Sequence, residues 1–142
     1  MERYKKILVP LDGSECAERI LPKVEKLATE LKATISLLRV AYAHTFPGVD
    51  STEAEVAVVR EAEEYLHGLE ERLKAKGFKV DSHVRYGDEA EEILDHSAQK
   101  DIDLIAMSTH GRSGVKRWLL GSVAEKILRH ATKPIFLVRC TE

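Results

Sequence analysis

"DLIAMSTHGRSGVKRWLLGSVAEKIL", residues 103–128, changes character twice within one short stretch. Asp103-Leu104-Ile105-Ala106-Met107 is almost continuously apolar, as a strand covered on both faces must be. The next residues are basic and broken by Gly111, Gly114 and Gly121. From Ser122 onward, Val123, Ile127, Leu128 and Ala131 repeat at helical spacing until Pro134 forbids continuation. Strand, long loop and helix in that order form half of a parallel crossover. A loop of about a dozen residues is uncommon in a compact domain unless it has a use.

The same alternation runs through the rest of the chain. Lys6-Ile7-Leu8-Val9-Pro10-Leu11, Thr34-Ile35-Ser36-Leu37-Leu38-Arg39-Val40, Lys79-Val80-Asp81-Ser82-His83-Val84-Arg85 and Ile135-Phe136-Leu137-Val138 read as further strands. The first is as apolar as the stretch before Ser108, so both belong at the centre of a sheet, whereas the third alternates and belongs nearer an edge. Between the first two strands, Ala17, Ile20, Leu21, Val24, Leu27, Ala28 and Leu31 draw one helical stripe. Pro22 implies a kink there, or a helix that starts late. Val56, Val59, Leu66, Leu69 and Leu73 mark a second helix ending near Gly77. Asp88 with Glu91 forms a capping-box pattern before a third helix, and Ser122 with Glu125 repeats it before the fourth.

Right-handed crossovers turn this order into an open five-stranded parallel sheet with helices on both faces, Rossmann-like, with strand order 3-2-1-4-5. Residues 1–142 are read as a single domain, since no repeat or linker interrupts the pattern.

Composition narrows the function classes. Hydrophobic content of 44% and charged content of 32% are globular values, and the polar N-terminus matches neither a signal peptide nor a membrane span. A cytoplasmic protein is expected. A net charge of −2 gives no general attraction to nucleic acid or anionic lipid, so an anion site must rest on local arrangement. Cys16 and Cys140 lie far apart in sequence, form no C-x-x-C pair, and are expected to be reduced bystanders. His44, His67, His83, His96 and His130 lack the i, i+4 spacing of metal ligands and are expected at the surface.

Open parallel sheets bind ligands at the carboxyl ends of the strands, where neighbouring crossovers go to opposite faces. Here that crevice lies between the Pro10-Leu11-Asp12-Gly13-Ser14 loop and the glycine-punctuated loop. Gly121-Ser122 presents free N–H groups at a helix start, where the macrodipole favours an anion. Arg112, Lys116 and Arg117 add local positive charge, and phosphate is the natural guest. Each residue also has a plainer use: Ser122 as an N-cap, Asp12 as a turn residue, the basic residues as solvated charges, Trp118-Leu119-Leu120 as packing. His110 has no visible triad partner, and the chain carries neither the P-loop pattern nor G-x-G-x-x-G.

Gly111, nine intervening residues and Gly121-Ser122, with the opening Lys5-Lys6-Ile7-Leu8-Val9-Pro10-Leu11-Asp12-Gly13-Ser14, resemble the universal stress protein family. The likeness covers essentially the whole chain. It departs from the family pattern at Ser108, where the family's first loop glycine belongs. The resemblance implies ATP or AMP in the crevice, with Mg²⁺ or Mn²⁺ as candidate companions. It implies that Asp12 and backbone groups around Pro10, Leu11 and Val40 hold adenine and ribose. Met107, Ser108, His110, Gly111 and Arg112 would line ribose and phosphates, and Gly121, Ser122 and Val123 would meet the phosphates. It further implies a homodimer through Ile135-Phe136-Leu137-Val138 and a regulatory role under stress, with an unidentified protein partner. Slow ATP hydrolysis, or a scaffold without nucleotide, are the alternatives.

Overall fold

The computed structural model describes residues 4–110 and 120–140. The elements follow in the order β1 (Lys6–Pro10), α1 (Glu15–Glu18), α2 (Leu21–Leu31), β2 (Thr34–Ala41), α3 (Thr52–Ala75), β3 (Val80–Tyr86), α4 (Glu89–Ser97), β4 (Leu104–Ser108), α5 (Ser122–His130) and β5 (Ile135–Val138). All pairings are parallel, in the order β3-β2-β1-β4-β5. This is the topology expected from the two apolar strands. β4 is buried at every position, whereas β3 is partly exposed along its length.

Strand periodicity divides the core in two. Ile7, Val9, Leu104 and Ala106 point to one face, against Ala17, Val24, Ala28, Leu66, Leu69 and Leu73 of α1, α2 and α3. Leu8, Ile105 and Met107 point to the other, against Ile93 of α4 and Ala124 and Ile127 of α5. Burying one such side chain is worth roughly 1.5–3 kcal/mol, so side chains on alternate positions must find cover on both faces. The chain after β1 therefore winds onto one face and the chain after β4 onto the other. Between those two neighbouring strands a crevice opens at their carboxyl ends.

Three local expectations are corrected. The helix proper starts late, as Pro22 allowed, and the correction is that the start of the Ala17 to Leu31 stripe forms a short helix of its own. α1 stops at Glu18, and α2 begins at Leu21 with Pro22 in its first turn, where a missing N–H costs nothing. Cys16 and Cys140, expected to be reduced and unrelated, are joined as a disulfide with their Cα atoms 5.6 Å apart. Sequence separation concealed this, because the crossovers bring the residue after β5 back over β4 to α1. His96, expected at the surface, is only 5% exposed.

The environment of His96 gives a pH prediction. Arg85 Nη1 lies 3.3 Å from His96 Nδ1, and the Arg85 Nε–H donates to Glu92 Oε1 at 2.9 Å. The His83 ring centroid is 5.1 Å away. Burial first, then the nearby His83 and Arg85 charges, hold the His96 pKa below its ordinary value, against a smaller opposing pull from Asp101 and Asp81. The unfolded chain takes up this proton near pH ~6.5, while the native chain resists it until lower pH. Unfolded molecules therefore bind more protons within that window, and stability falls as pH drops through it. Thermal midpoints of the unaltered protein should decline between about pH 7.5 and 5.5, and His96→Gln should flatten part of that decline. Equal slopes in both proteins would contradict it.

Candidate functional site

The first wall of the crevice is built by the turn after β1. The Ser14 N–H and hydroxyl both donate to Asp12 Oδ1, at 3.0 and 2.6 Å, while Gly13 takes a φ of +85° that a side chain would resist. Ser14 Oγ in turn accepts from Ala17 N at 3.1 Å and caps α1. Asp12 is thus a turn residue, as its plainer reading held, and it also borders the crevice.

The second wall is the end of β4. Ser108 is the last residue of that strand, and among the described residues Lys32 is the sole non-glycine with positive φ. Replacing the family's glycine by serine at this point therefore carries no left-handed strain. The Ser108 hydroxyl instead donates to His110 O at 2.6 Å and ties down the beginning of the loop.

His110 follows in a fixed pose, 7% exposed. The Cys140 N–H donates to Thr109 Oγ1 at 3.0 Å, and Thr109 Oγ1 lies 3.0 Å from His110 Nδ1. The Thr109 hydroxyl can donate to Nδ1 or accept from it, so the tautomer of the ring decides whether Nε2 is a donor or an acceptor. That Nε2 is buried and has no hydrogen-bond partner among the described residues. A buried polar atom left without a partner costs on the order of 1–3 kcal/mol.

The third wall is the start of α5, where an expectation about capping is corrected. Gly121, rather than Ser122, is the N-cap residue, with φ −68° and ψ 160°, and no side chain among the described residues caps the helix. Ser122 is already helical, so the Ser122–Glu125 pattern forms no capping box. Gly121 sits there because the chain passes close under the loop: its N–H donates to Thr109 O at 2.9 Å, and a Cβ would stand 3.2 Å from that oxygen. The first N–H groups of the helix have no intrahelical acceptor, and Ser122, Val123 and Ala124 line the crevice.

Of the residues predicted for the site, Pro10, Asp12, Met107 and Ser108 border one crevice of about 260 Å³ together with His110, Gly121, Ser122 and Val123. Val40 lines an adjoining hollow of about 580 Å³, whose walls share Asp12 and Glu89 with the first. Leu11 is not at the surface of either. Its side chain is 3% exposed in the core, and its N–H donates to Leu38 O at 2.8 Å. Gly111 and Arg112 lie outside the described residues, as do Lys116, Arg117, Trp118 and Leu119.

Sequence reasoning missed Glu89 and Arg39. Glu89 opens α4 next to Asp88, whose Oδ2 accepts from Glu91 N at 3.1 Å as its capping pattern predicted. The Gly87-Asp88 turn follows β3, so its place at the carboxyl edge was available from topology. Arg39 borders the second hollow, with its guanidinium carbon 4.9 Å from the Tyr65 ring centroid.

The described charged groups of the first crevice are the carboxylates Asp12 and Glu89. An anion there would be received by helix N–H groups, and by His110 Nε2 when it carries the ring proton, at the end of the crevice formed by Gly121 and Ser122. No group of three or more His, Cys, Asp or Glu side chains suited to a metal ion occurs among the described residues. No helix among them is long and apolar enough to cross a membrane.

The sequence profile described as the universal stress protein family matches residues 3–139. The universal stress protein YxiE of Bacillus subtilis is 30% identical over 147 residues, covering 96% of this chain and 99% of its own. The solved structure of MJ0577, a universal stress protein of Methanocaldococcus jannaschii, superimposes with a TM-score of 0.87 at 32% identity, covering 99% of both chains. A universal stress protein family member from Arabidopsis thaliana, solved with AMP bound, shares the fold at a TM-score of 0.66 and 16% identity. It covers 96% of this chain and 92% of its own.

Proposed function

This chain belongs to the universal stress protein family, and we propose that its crevice binds an adenine nucleotide, ATP or AMP, as a regulatory ligand. The observation that carries the proposal is the buried His110 Nε2, without a partner among the described residues, beside the uncapped first turn of α5. The helix N–H groups are donors awaiting an acceptor, His110 Nε2 joins them when it carries the ring proton, and both line the same crevice. A phosphate supplies several acceptor oxygens and the charge that a helix N-terminus favours.

The phosphates would then lie against Gly121, Ser122 and Val123, with His110 donating from the side. The nucleoside would extend toward Pro10, Asp12 and the hollow lined by Val40. The Arabidopsis relative with AMP bound supports this choice of ligand class. A divalent cation accompanying ATP would draw its ligands from phosphates and water, with Asp12 the residue to lend a carboxylate. Occupancy would act through the loops or the dimer, which a partner protein reads under stress.

Denaturing the purified protein and identifying the released small molecules by mass spectrometry tests the reading. Adenine nucleotide in the supernatant is expected. A chain that releases none, and takes up none when ATP is added, is a scaffold instead.

Asp12 gives a second, quantitative expectation. A charge-assisted hydrogen bond is worth roughly 1.5–3 kcal/mol, so Asp12→Ala should weaken binding roughly ten- to a hundredfold in a calorimetric titration. Asp12→Asn keeps an acceptor for the Ser14 N–H while removing the charge, and separates ligand contact from turn formation. A change of less than about twofold in both variants would leave Asp12 a turn residue only.

A further inference from the structure

Cys16 and Cys140 stand 124 positions apart and meet at the rim of the crevice. Cys16 lies in α1, next to Ala17, which lines the first crevice. Cys140 follows β5, and its N–H donates to Thr109 Oγ1, the hydroxyl that orients the His110 ring. The crosslink therefore joins the wall that follows β1 to the wall that ends β4. Neither cysteine belongs to either hydrophobic cluster. Both residues are half-buried rather than enclosed.

We infer that Cys16–Cys140 is a reversible redox modification site, and that its oxidation raises the affinity of the neighbouring crevice for adenine nucleotide. The second half of the inference rests on the nucleotide reading above. With the bond formed, the Cys140 N–H is held at Thr109 Oγ1, Thr109 holds Nδ1, and the His110 Nε2–H is held toward the phosphate position. On reduction, α1 and the segment after β5 are released from each other, and the donor must be ordered at the moment of binding. Linkage makes the effect reciprocal: bound nucleotide must favour the disulfide by the same factor.

The oxidant is a low-molecular-weight disulfide. One cysteine thiolate attacks its S–S bond, releasing one thiol and leaving a mixed disulfide on the protein. The second cysteine thiolate attacks the protein sulfur of that bond and expels the second thiol. Two electrons and two protons pass in all from the cysteine pair to the reagent, and reduction by a dithiol runs the exchange backwards.

The test equilibrates the full chain in glutathione buffers of graded ratio, with and without ATP, and reads the cysteines by intact mass and peptide mapping. ATP affinity is then measured on the fully oxidised and fully reduced protein, and on Cys16→Ser and Cys140→Ser. The expected result is an intramolecular Cys16–Cys140 link that dithiothreitol reverses, and an ATP affinity about fivefold or more higher when oxidised. ATP should shift the glutathione midpoint toward the disulfide, and both serine variants should bind as the reduced protein does at every ratio. Mixed disulfides with glutathione, links between chains, or no oxidation would overturn the modification site. A link that forms while ATP affinity changes by less than about twofold would overturn the coupling. A link that forms while neither state binds ATP would overturn the nucleotide reading, and the coupling with it.

Discussion

Gly121→Val is expected to yield a folded protein that binds no adenine nucleotide. Gly121 has φ −68°, a conformation open to any residue, so the backbone itself does not forbid valine. Space does: a Cβ there meets Thr109 O at 3.2 Å and the His110 Cα at 3.5 Å. The branched side chain would push the helix start from the loop and occupy the position where phosphate oxygens approach the first N–H groups. A loss of at least about a hundredfold in ATP affinity should follow, since helix contacts and the His110 donor fail together. Gly121→Ala, whose single methyl asks its neighbours to yield a few tenths of an ångström, should fall between. Cooperative thermal unfolding of each variant shows whether the fold survives. A folded valine variant with unchanged ATP affinity would refute the placement of the phosphates.

The second large effect concerns assembly. The unaltered protein is expected to be a two-fold dimer, and Leu137→Lys a monomer. Among the described residues β5 pairs only with β4 and forms one edge of the sheet. Its residues Ile135-Phe136-Leu137-Val138 are apolar, with Phe136 36% exposed. Unpaired N–H and C=O groups on such an edge invite a second strand, and pairing β5 with its own copy closes the assembly about a two-fold axis. Cys140 turns inward toward α1 instead of running along the outside of β5, so it does not serve as the cover for that edge. Leu137 also packs partly against the α4 and α5 side of the core. Phe136→Lys, with its more exposed side chain, is the companion variant that spares this packing. Light scattering at micromolar concentration reads the outcome. A monomeric mass for the unaltered protein contradicts the dimer, and a dimer that survives both lysines moves the interface elsewhere.

The sheet was legible because burial on both faces leaves a direct trace. Ile7-Leu8-Val9 and Leu104-Ile105-Ala106-Met107 are apolar without interruption, which only central strands need to be. Once those two strands were adjacent, the Asp12 turn and the Gly121 helix start had to face each other across one crevice. Contacts made by the chain's return were not legible. The Cys16–Cys140 bond and the burial of His96 arise from elements far apart in sequence, and no local pattern marks them. The N-cap of α5 was misread by one residue for a different reason. Ser122–Glu125 satisfies the capping-box spacing, but the close pass of Gly121 under Thr109 O sets where the helix begins. Ser108 could not be judged from composition at all. Its acceptability depends on a φ and on the hydroxyl bond to His110 O, which only coordinates supply.

The most direct test of the nucleotide site is an equilibrium titration of ATP and AMP, with GTP for comparison, into protein freed of ligand and kept oxidised. Saturable binding of one adenine nucleotide per chain, weaker for GTP and lost in Gly121→Val, is the predicted result. Absence of saturable binding of either adenine nucleotide up to about 1 mM would contradict it.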